Sequence, residues 1–415
     1  MRAHQFPSPT SPSFWRSALR GPRLTALLGV VLLGGITLLF VTGLLSYAAY
    51  NPDLAGVNDQ TPGKGVLGFY LFDWPTDPHW LYRVTQGLHV TVGVALVPVL
   101  LAKLWSVIPK LFTMPPARSV GHALERVSLL LLVGGALFEF VTGLLNIQLE
   151  YLFPGSFYPL HFYGAWVFIG AFVAHVVLRM PRVVQALRER ADPAAQEDDT
   201  GLVAARPGAP TVSRRGALGL VGAGSLLLLV TTAGQSIGGA WRRTALLAPH
   251  GGSSPGSGPN GFQINKTASS MGIREQDTAD TWRLTVVSGE RRVLLSRAEL
   301  LAMPQYESAL PIACVEGWST DDQRWSGVRL RDLAALVGAG ERPPDVLVES
   351  LQLRGAFRRA ALRENQVRDE RSLLALRVNG AELSRDHGYP ARVIVPAAPG
   401  VLNTKWVARM TFGEL

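Results

Sequence analysis

Cysteine is almost absent from this chain. Cys314 is the only one among 415 residues, so no disulfide can form within the chain, and the cysteine count says nothing about the redox compartment. Charge is scarce as well. Asp, Glu, Lys and Arg make up 17% of residues against 47% hydrophobic ones, and the mean hydropathy is positive, a balance unusual for a water-soluble protein and expected of one with membrane segments. Acidic residues number 31 against 40 basic ones, yet the surplus arginines are scattered. They form no aromatic-interleaved stripe, which argues against nucleic acid as a partner.

The apolar residues are concentrated before residue 245. Residues 1–23, with Pro7, Pro9, Pro12, Arg16, Arg20 and Arg23, read as a disordered basic tail. Residues 24–50 carry no charge. At about 1.5 Å per residue they are long enough to cross a hydrocarbon core of about 30 Å, and too long for a signal-peptide core. Further spans are expected at about 83–105, 126–147 and 159–179, which gives a four-helix membrane domain over 24–182. Lys103, Lys110 and Arg118 lie between the second and third spans, and Arg179, Arg182, Arg188 and Arg190 follow the fourth, whereas the connection 148–158 has no basic residue. The positive-inside rule therefore puts the N-terminus in the cytoplasm. After a linker at 183–213, a fifth span within 214–241 carries the chain outward, and a Gly/Ser/Pro-rich linker at 242–261 leads to an extracytoplasmic domain at 262–415. The stretch Ser213-Arg214-Arg215-Gly216-Ala217-Leu218 resembles an internally placed twin-arginine export signal, with Ala217 where that motif prefers phenylalanine. As a bare arginine pair it is equally a cytoplasmic anchor.

Imidazole inside a bilayer is costly unless paired or ligating, so membrane histidines are functional candidates. His161 and His175 lie 14 residues apart on the fourth span. That is nearly four whole turns, so both face one side, about 21 Å apart along the axis. Two b-type haems held by bis-imidazole ligation, one near each leaflet, need this arrangement. His89, just inside the outer end of the second span, is level with His161, and the two are expected to sandwich an outer haem. The inner site stays open. His175 has candidate partners in His122, at the inner end of the third span, and in Lys103, or it pairs with His89 around a single central haem. The histidines could also be hydrogen-bonded contacts between helices. One or two haems b are expected. Gly87-Leu88-His89 and His161-Phe162-Tyr163-Gly164-Ala165-Trp166 resemble the b-type cytochrome membrane subunits that partner periplasmic oxidoreductases. That resemblance implies a membrane quinol or another electron donor.

The last 150 or so residues alternate strand and helix signals without a repeat, a mixed α/β pattern. Residues 282–287 and 292–295 read as a hairpin, Ser296-Arg297-Ala298-Glu299 as a capping box, 330–337 as a helix, 346–353 as a strand, and 374–378 as a strand meeting an Asn379-Gly380 turn. Two late strands at 392–395 and 405–412 close the domain. Residues 306–315 look strand-like and break at Glu316-Gly317, which puts the Cys314 sulfur at a strand end where a metal or substrate can reach it. A thiolate there is a soft metal ligand or a nucleophile; a free cysteine is as readily a small buried hydrophobe.

The run Ala313-Cys314-Val315-Glu316-Gly317-Trp318-Ser319 resembles the cysteine loop of the sulfite-oxidase-type molybdopterin family, in which this cysteine ligates molybdenum. A second stretch, Asp386-His387-Gly388-Tyr389-Pro390-Ala391-Arg392-Val393-Ile394-Val395-Pro396, followed by Thr404-Lys405-Trp406-Val407, resembles the same family's cofactor segment. The resemblance implies Cys314 as catalytic metal ligand, His387 and Arg392 as cofactor contacts, and Asn403, Thr404 and Lys405 at the phosphate end. Asn265, within Phe262-Gln263-Ile264-Asn265-Lys266-Thr267-Ala268, resembles a pterin contact. Glu316-Gly317-Trp318-Ser319 looks more like the bacterial methionine-sulfoxide-reductase-type subunits. The combined expectation is a multi-domain chain: a five-span α-helical membrane bundle followed by a mixed α/β sulfite-oxidase-type molybdopterin domain, embedded in the lipid bilayer and acting on a small-molecule substrate. Reduction of an S- or N-oxide outside the cytoplasm is the leading activity. Oxidation of sulfite or a similar substrate, and a non-catalytic binding module on a membrane anchor, are the alternatives.

Overall fold

The computed structural model describes the chain apart from residues 1–10, 12–13, 15–16, 18, 55, 59–71, 113–118, 148–156, 189–210, 248–258, 341 and 355–356. Most of the expected tail at 1–23 and of the linkers at 183–213 and 242–261 lies outside the described residues. Among the described residues five helices are long and apolar enough to cross a membrane: α1 (Pro22–Ala49), α2 (Leu81–Leu111), α3 (Val120–Asn146), α4 (Tyr158–Arg188) and α5 (Arg214–Ile237). In such long apolar runs the helix satisfies every peptide N–H and C=O within the segment itself, whereas an unpaired peptide group away from water costs several kcal/mol. α2 runs unbroken through Pro98 and continues past its expected end through Pro109. A proline removes one ladder hydrogen bond without ending a helix that its neighbours support.

The chain folds as two compact units. One comprises residues 1–40, 92–144 and 160–229, and its core gathers Leu28, Leu32, Ile36, Leu96, Val99, Phe168 and Phe172.

The other comprises residues 41–91, 145–159 and 230–415 and contains two sheets. The first is built from β1 (Arg283–Ser288), β2 (Arg291–Ser296), β5 (Val346–Ser350), β6 (Arg359–Leu362) and β10 (Val407–Phe412) in the order β2-β1-β10-β5-β6, with β1 and β10 parallel. The second has β3 (Tyr306–Leu310), β4 (Gln323–Arg329), β7 (Leu373–Val378) and β8 (Ala381–Glu382) in sequence order, with β9 (Arg392–Ile394) also on β7. Short helices α6 (Arg297–Ala302), α7 (Leu330–Leu336) and α8 (Glu364–Arg368) complete it. The hairpin, the Ser296/Glu299 capping box, the helix at 330 and the Asn379-Gly380 turn form as expected, the last with both residues at positive φ as that turn requires.

Two expectations change. β3 stops at Leu310, so Cys314 sits in a turn beyond the strand rather than at its end. A strand that the sequence reading did not place, β4, follows at Gln323–Arg329, and its inward positions include Gln323 and Gly327 and so show no apolar alternation. Trp325 anchors it, fully buried, with its indole N–H donating to the Leu310 carbonyl at 2.9 Å.

The acidic loop after α1 joins the sheets through ion pairs: Asp53 and Asp73 with Arg363 at 3.2 and 3.0 Å, and Asp77 with Arg371 at 2.7 Å. Trp74, buried, donates to the Ala397 carbonyl at 2.7 Å.

Candidate active site

Cys314 lies in a tight turn made by its own backbone. Its N–H donates to the Trp318 carbonyl at 2.9 Å, its carbonyl accepts from Gly317 at 3.1 Å, and the turn is closed by an Ala313–Ser319 bridge. Gly317 has φ +85°, and a Cβ added there would lie 2.6 Å from Val90 Cβ, so both conformation and space demand glycine. Helix ends hold the turn from outside. Gln86 of α2 donates to the Val315 carbonyl at 2.6 Å, Ser236 of α5 donates to the Gly317 carbonyl at 2.7 Å, and Ser319 donates through its hydroxyl to the Gln235 carbonyl at 3.0 Å.

Cys314 is 3% exposed and belongs to a buried cluster that includes Phe262, Ile312, Trp318 and Trp325. Burial, followed by the neighbouring Glu316 carboxylate, pushes the thiol pKa well above its ordinary value. Without a metal Cys314 is therefore a neutral thiol; a metal cation inverts that preference and binds the thiolate. Among the described residues no group of three or more His, Cys, Asp or Glu is placed to hold a bare ion. A metal at Cys314 must bring further ligands from a cofactor.

The second predicted stretch folds beside the first. Ser384 caps the turn that carries His387, accepting from its N–H at 3.2 Å. The His387 ring packs on Phe262 with centroids 3.8 Å apart, and its Nε2 lies 3.3 Å from the Gln263 carbonyl. Burial, reinforced by the Arg392 cation, drives the His387 pKa down to about 3, so the imidazole is neutral. Arg392 is 3% exposed and donates to the carbonyls of His387 and Asn403 at 3.0 Å each. Burial lowers its pKa to about 9, which still leaves it cationic at neutral pH, with no carboxylate within ion-pair distance among the described residues. Lys405 donates to the carbonyls of Lys266 and Asp386 at 2.8 Å each, and burial followed by Arg392 pulls its pKa well down. Gly388, at φ +112°, lets these elements meet, since a Cβ there would lie 3.1 Å from both Arg392 and Lys405 Cβ atoms.

Several buried donors here have no protein partner among the described residues: Arg392 Nε, Asn403 Nδ2, the Thr404 hydroxyl and Gln263 Nε2. Unsatisfied buried donors cost about 1–3 kcal/mol each, more for a cation, so such a cluster is the expected signature of a polar, anionic ligand. The residues fit a phosphate-bearing pterin. Asn265 is half-buried in the 263–266 segment whose carbonyls accept from His387 and Lys405, so the predicted residues of the sheet domain converge.

Residues 270–414 match the family model described as "Oxidoreductase molybdopterin binding domain". The uncharacterized oxidoreductase YuiH of Bacillus subtilis is 34% identical over 132 residues, covering 32% of this chain and 65% of that protein. Human mitochondrial sulfite oxidase is 33% identical over 158 residues, covering 32% of this chain and 29% of its own. Residues 270–414 of the sheet domain are thus similar to molybdopterin-binding oxidoreductase domains, sulfite oxidases among them. Among solved structures, the sulfane dehydrogenase SoxCD from Paracoccus pantotrophus aligns with 32% of this chain and 38% of its own at 23% identity and a TM-score of 0.29. The chain spans less than two thirds of the length of these relatives, and the family model's match leaves α1 to α5 uncovered.

The histidines of those helices have distinct surroundings. His89 Nδ1 lies 2.9 Å from Thr42 Oγ1, and His161 Nδ1 lies 3.1 Å from both Thr142 Oγ1 and Glu139 Oε2. His175 is half-buried on α4, and His122 is half-buried in the first turn of α3, its backbone N–H on the Ser119 hydroxyl. Lys103 donates to the Thr25 carbonyl at 2.6 Å.

Sequence reasoning missed Thr42, Thr142, Glu139, Gln86, Gln263 and the role of Glu316. A signal for the threonines was available: Phe-Val-Thr-Gly-Leu-Leu occurs at both Phe40–Leu45 and Phe140–Leu145.

Proposed function

We propose that this chain is a membrane-anchored molybdopterin-dependent oxidoreductase with its own haem b electron line, reducing an S- or N-oxide outside the cytoplasm. The observation that carries the reading is the set of unpartnered buried donors on Arg392, Asn403, Thr404 and Gln263 in the same domain as the Cys314 turn. When bound, the cofactor supplies a metal centre that exchanges an oxygen atom with substrate. Cys314 contributes the thiolate that would hold the metal. Arg392 and Lys405 neutralise the anionic end of the group, Asn403 and Thr404 donate to it, and neutral His387 with Asn265 orients it. Trp318 and Phe262 exclude water from the sulfur.

Reducing a sulfoxide consumes two electrons and two protons and releases water, so a one-electron haem delivers twice per turnover. Quinol is the donor class that suits five apolar helices, with imidazoles on α2 and α4 as iron ligands and His175 and His122 as further candidates. The charge alternation supports a cytoplasmic N-terminus, and the ion pairs of Asp53, Asp73 and Asp77 with Arg363 and Arg371 support an extracytoplasmic sheet domain on the same side as the first loop.

A second reading, oxidation of sulfite or a similar small substrate into the same line, is favoured by the identity to sulfite oxidases. One experiment separates them. The purified full chain is assayed for molybdenum and haem, then followed at the haem absorbance. Reoxidation of dithionite-reduced haem by a sulfoxide or N-oxide supports the reductase; reduction of oxidised haem by sulfite supports the oxidase. Absence of molybdenum ends both.

A further inference from the structure

The repeated hexapeptide belongs to a longer correspondence. Gly34-Gly35 and Gly134-Gly135 precede the two copies at the same spacing, and each copy is followed by a helix bearing Leu-His, Leu88-His89 in α2 and Leu160-His161 in α4. The contacts repeat too. Thr42 Oγ1 lies 2.9 Å from His89 Nδ1, and Thr142 Oγ1 lies 3.1 Å from His161 Nδ1. A Cβ added to Gly43 would sit 3.3 Å from His89 Cε1, and one added to Gly143 would sit 3.3 Å from His161 Cε1. Two turns away Gly35 lies under Leu96 and Gly135 under Phe168, each of these large residues seven positions past its own histidine.

In the second copy the proton can be traced. Thr142 Oγ1 is 2.7 Å from the Phe138 carbonyl, which can only accept, so the single hydroxyl proton goes there. The hydroxyl lone pair then accepts from His161 Nδ1–H. Nδ1 is thereby the protonated nitrogen, and Nε2 is the atom for a metal. The second copy also has a group the first lacks. Glu139, 7% exposed, brings Oε2 to 3.1 Å from the same Nδ1, where the first copy has Leu39. A carboxylate accepting from the N–H of a ligating imidazole raises the ligand's basicity and steadies the oxidised metal.

We propose that Thr42 and Thr142 are equivalent positioning residues for His89 and His161, and that Glu139 makes His161 the more electron-donating ligand, lowering the potential of the haem it binds. This rests on the haem reading above. The test uses the full-length protein, and haem content comes first: a wild-type chain without haem overturns the haem reading itself. With haem present, Glu139→Leu, which installs the residue of the first copy, is compared with wild type by redox titration and low-temperature electron paramagnetic resonance. The expected result is unchanged haem content, a midpoint potential shifted to more positive values and an altered g-value spread. Thr142→Val should shift the same signal in the same direction, which loss of a merely structural contact would not do. If Glu139→Leu loses haem, Glu139→Gln, which keeps an acceptor oxygen but no charge, is read by the same criteria. A haem-replete variant with wild-type potential and spectrum overturns the proposal.

Discussion

Gln86, one turn before His89 on α2, donates its side-chain amide to the carbonyl of Val315, the residue after Cys314, at 2.6 Å. The helix that bears a proposed iron ligand and the turn that bears the proposed molybdenum ligand thus share a single hydrogen bond. Gln86→Leu removes the donor and leaves that carbonyl unpaired, at a cost of about 1–3 kcal/mol to the turn. Substrate-driven reoxidation of the haem should slow several-fold while molybdenum and haem contents hold, as stopped-flow absorbance would read. An unchanged rate would remove the bond from the electron route.

Cys314→Ser exchanges a soft ligand for a hard one at unchanged size. Turnover that depends on molybdenum should vanish while the reduced-minus-oxidised haem spectrum stays as in wild type.

Arg392 is a buried cation with Nε unpartnered and no carboxylate within ion-pair distance among the described residues, and the proposed cofactor would supply its counter-charge. Arg392→Leu should lower molybdenum content at least ~10-fold, the equivalent of one charge-assisted bond of about 1.5–3 kcal/mol, with haem unaffected. The cofactor-free form should melt higher than cofactor-free wild type, because an uncompensated buried charge has gone. Metal analysis and a melting curve check the two halves separately.

Gly317→Ala meets both a positive φ and the Val90 side chain. A destabilisation of ~1–3 kcal/mol is expected from the backbone term alone, and more from the clash. Val90→Gly in the same chain, which removes the Cβ that the new methyl would meet at 2.6 Å, should recover the clash component but not the backbone one, a partition that a double-mutant cycle reads directly.

His387 sets a pH window for the cofactor-free protein. Its folded pKa of about 3 lies below the ordinary 6.5, so between those values the unfolded chain binds a proton that the folded chain refuses. The contribution is complete above pH 6.5 and is lost as pH falls towards 3, at about 1.4 kcal/mol per unit. Denaturant titrations should show this slope in wild type and a shallower one in His387→Gln.

What the sequence made legible was local. The hairpin, the capping box, the Asn379-Gly380 turn and the five apolar runs each follow from residues within a few positions of one another, and each formed. β4 was illegible because its inward positions hold Gln323 and Gly327, whose burial depends on partners such as Leu310 and Asn379 that arrive from elsewhere in the chain. Of the site residues named from motifs, the Cys314 turn and the 387–405 segment fold in one unit, Gly400 donating to the Ala313 carbonyl at 2.6 Å. Those acting only through geometry did not announce themselves. Gln86 is a polar residue in an apolar helix until Val315 is seen opposite it, and Glu139 is a costly charge until His161 is beside it.

β10 runs through the middle of its sheet, between β1 and β5, and follows directly on Asn403, Thr404 and Lys405. The β1–β2 hairpin is synthesised more than one hundred residues before its parallel neighbour exists. Translation must therefore run nearly to Phe412 before the sheet can close, and the donors that await the cofactor come into register in that same late event. A ribosome stalled before β10 would release an open half-sheet with two unpaired edges, unable to acquire its cofactor.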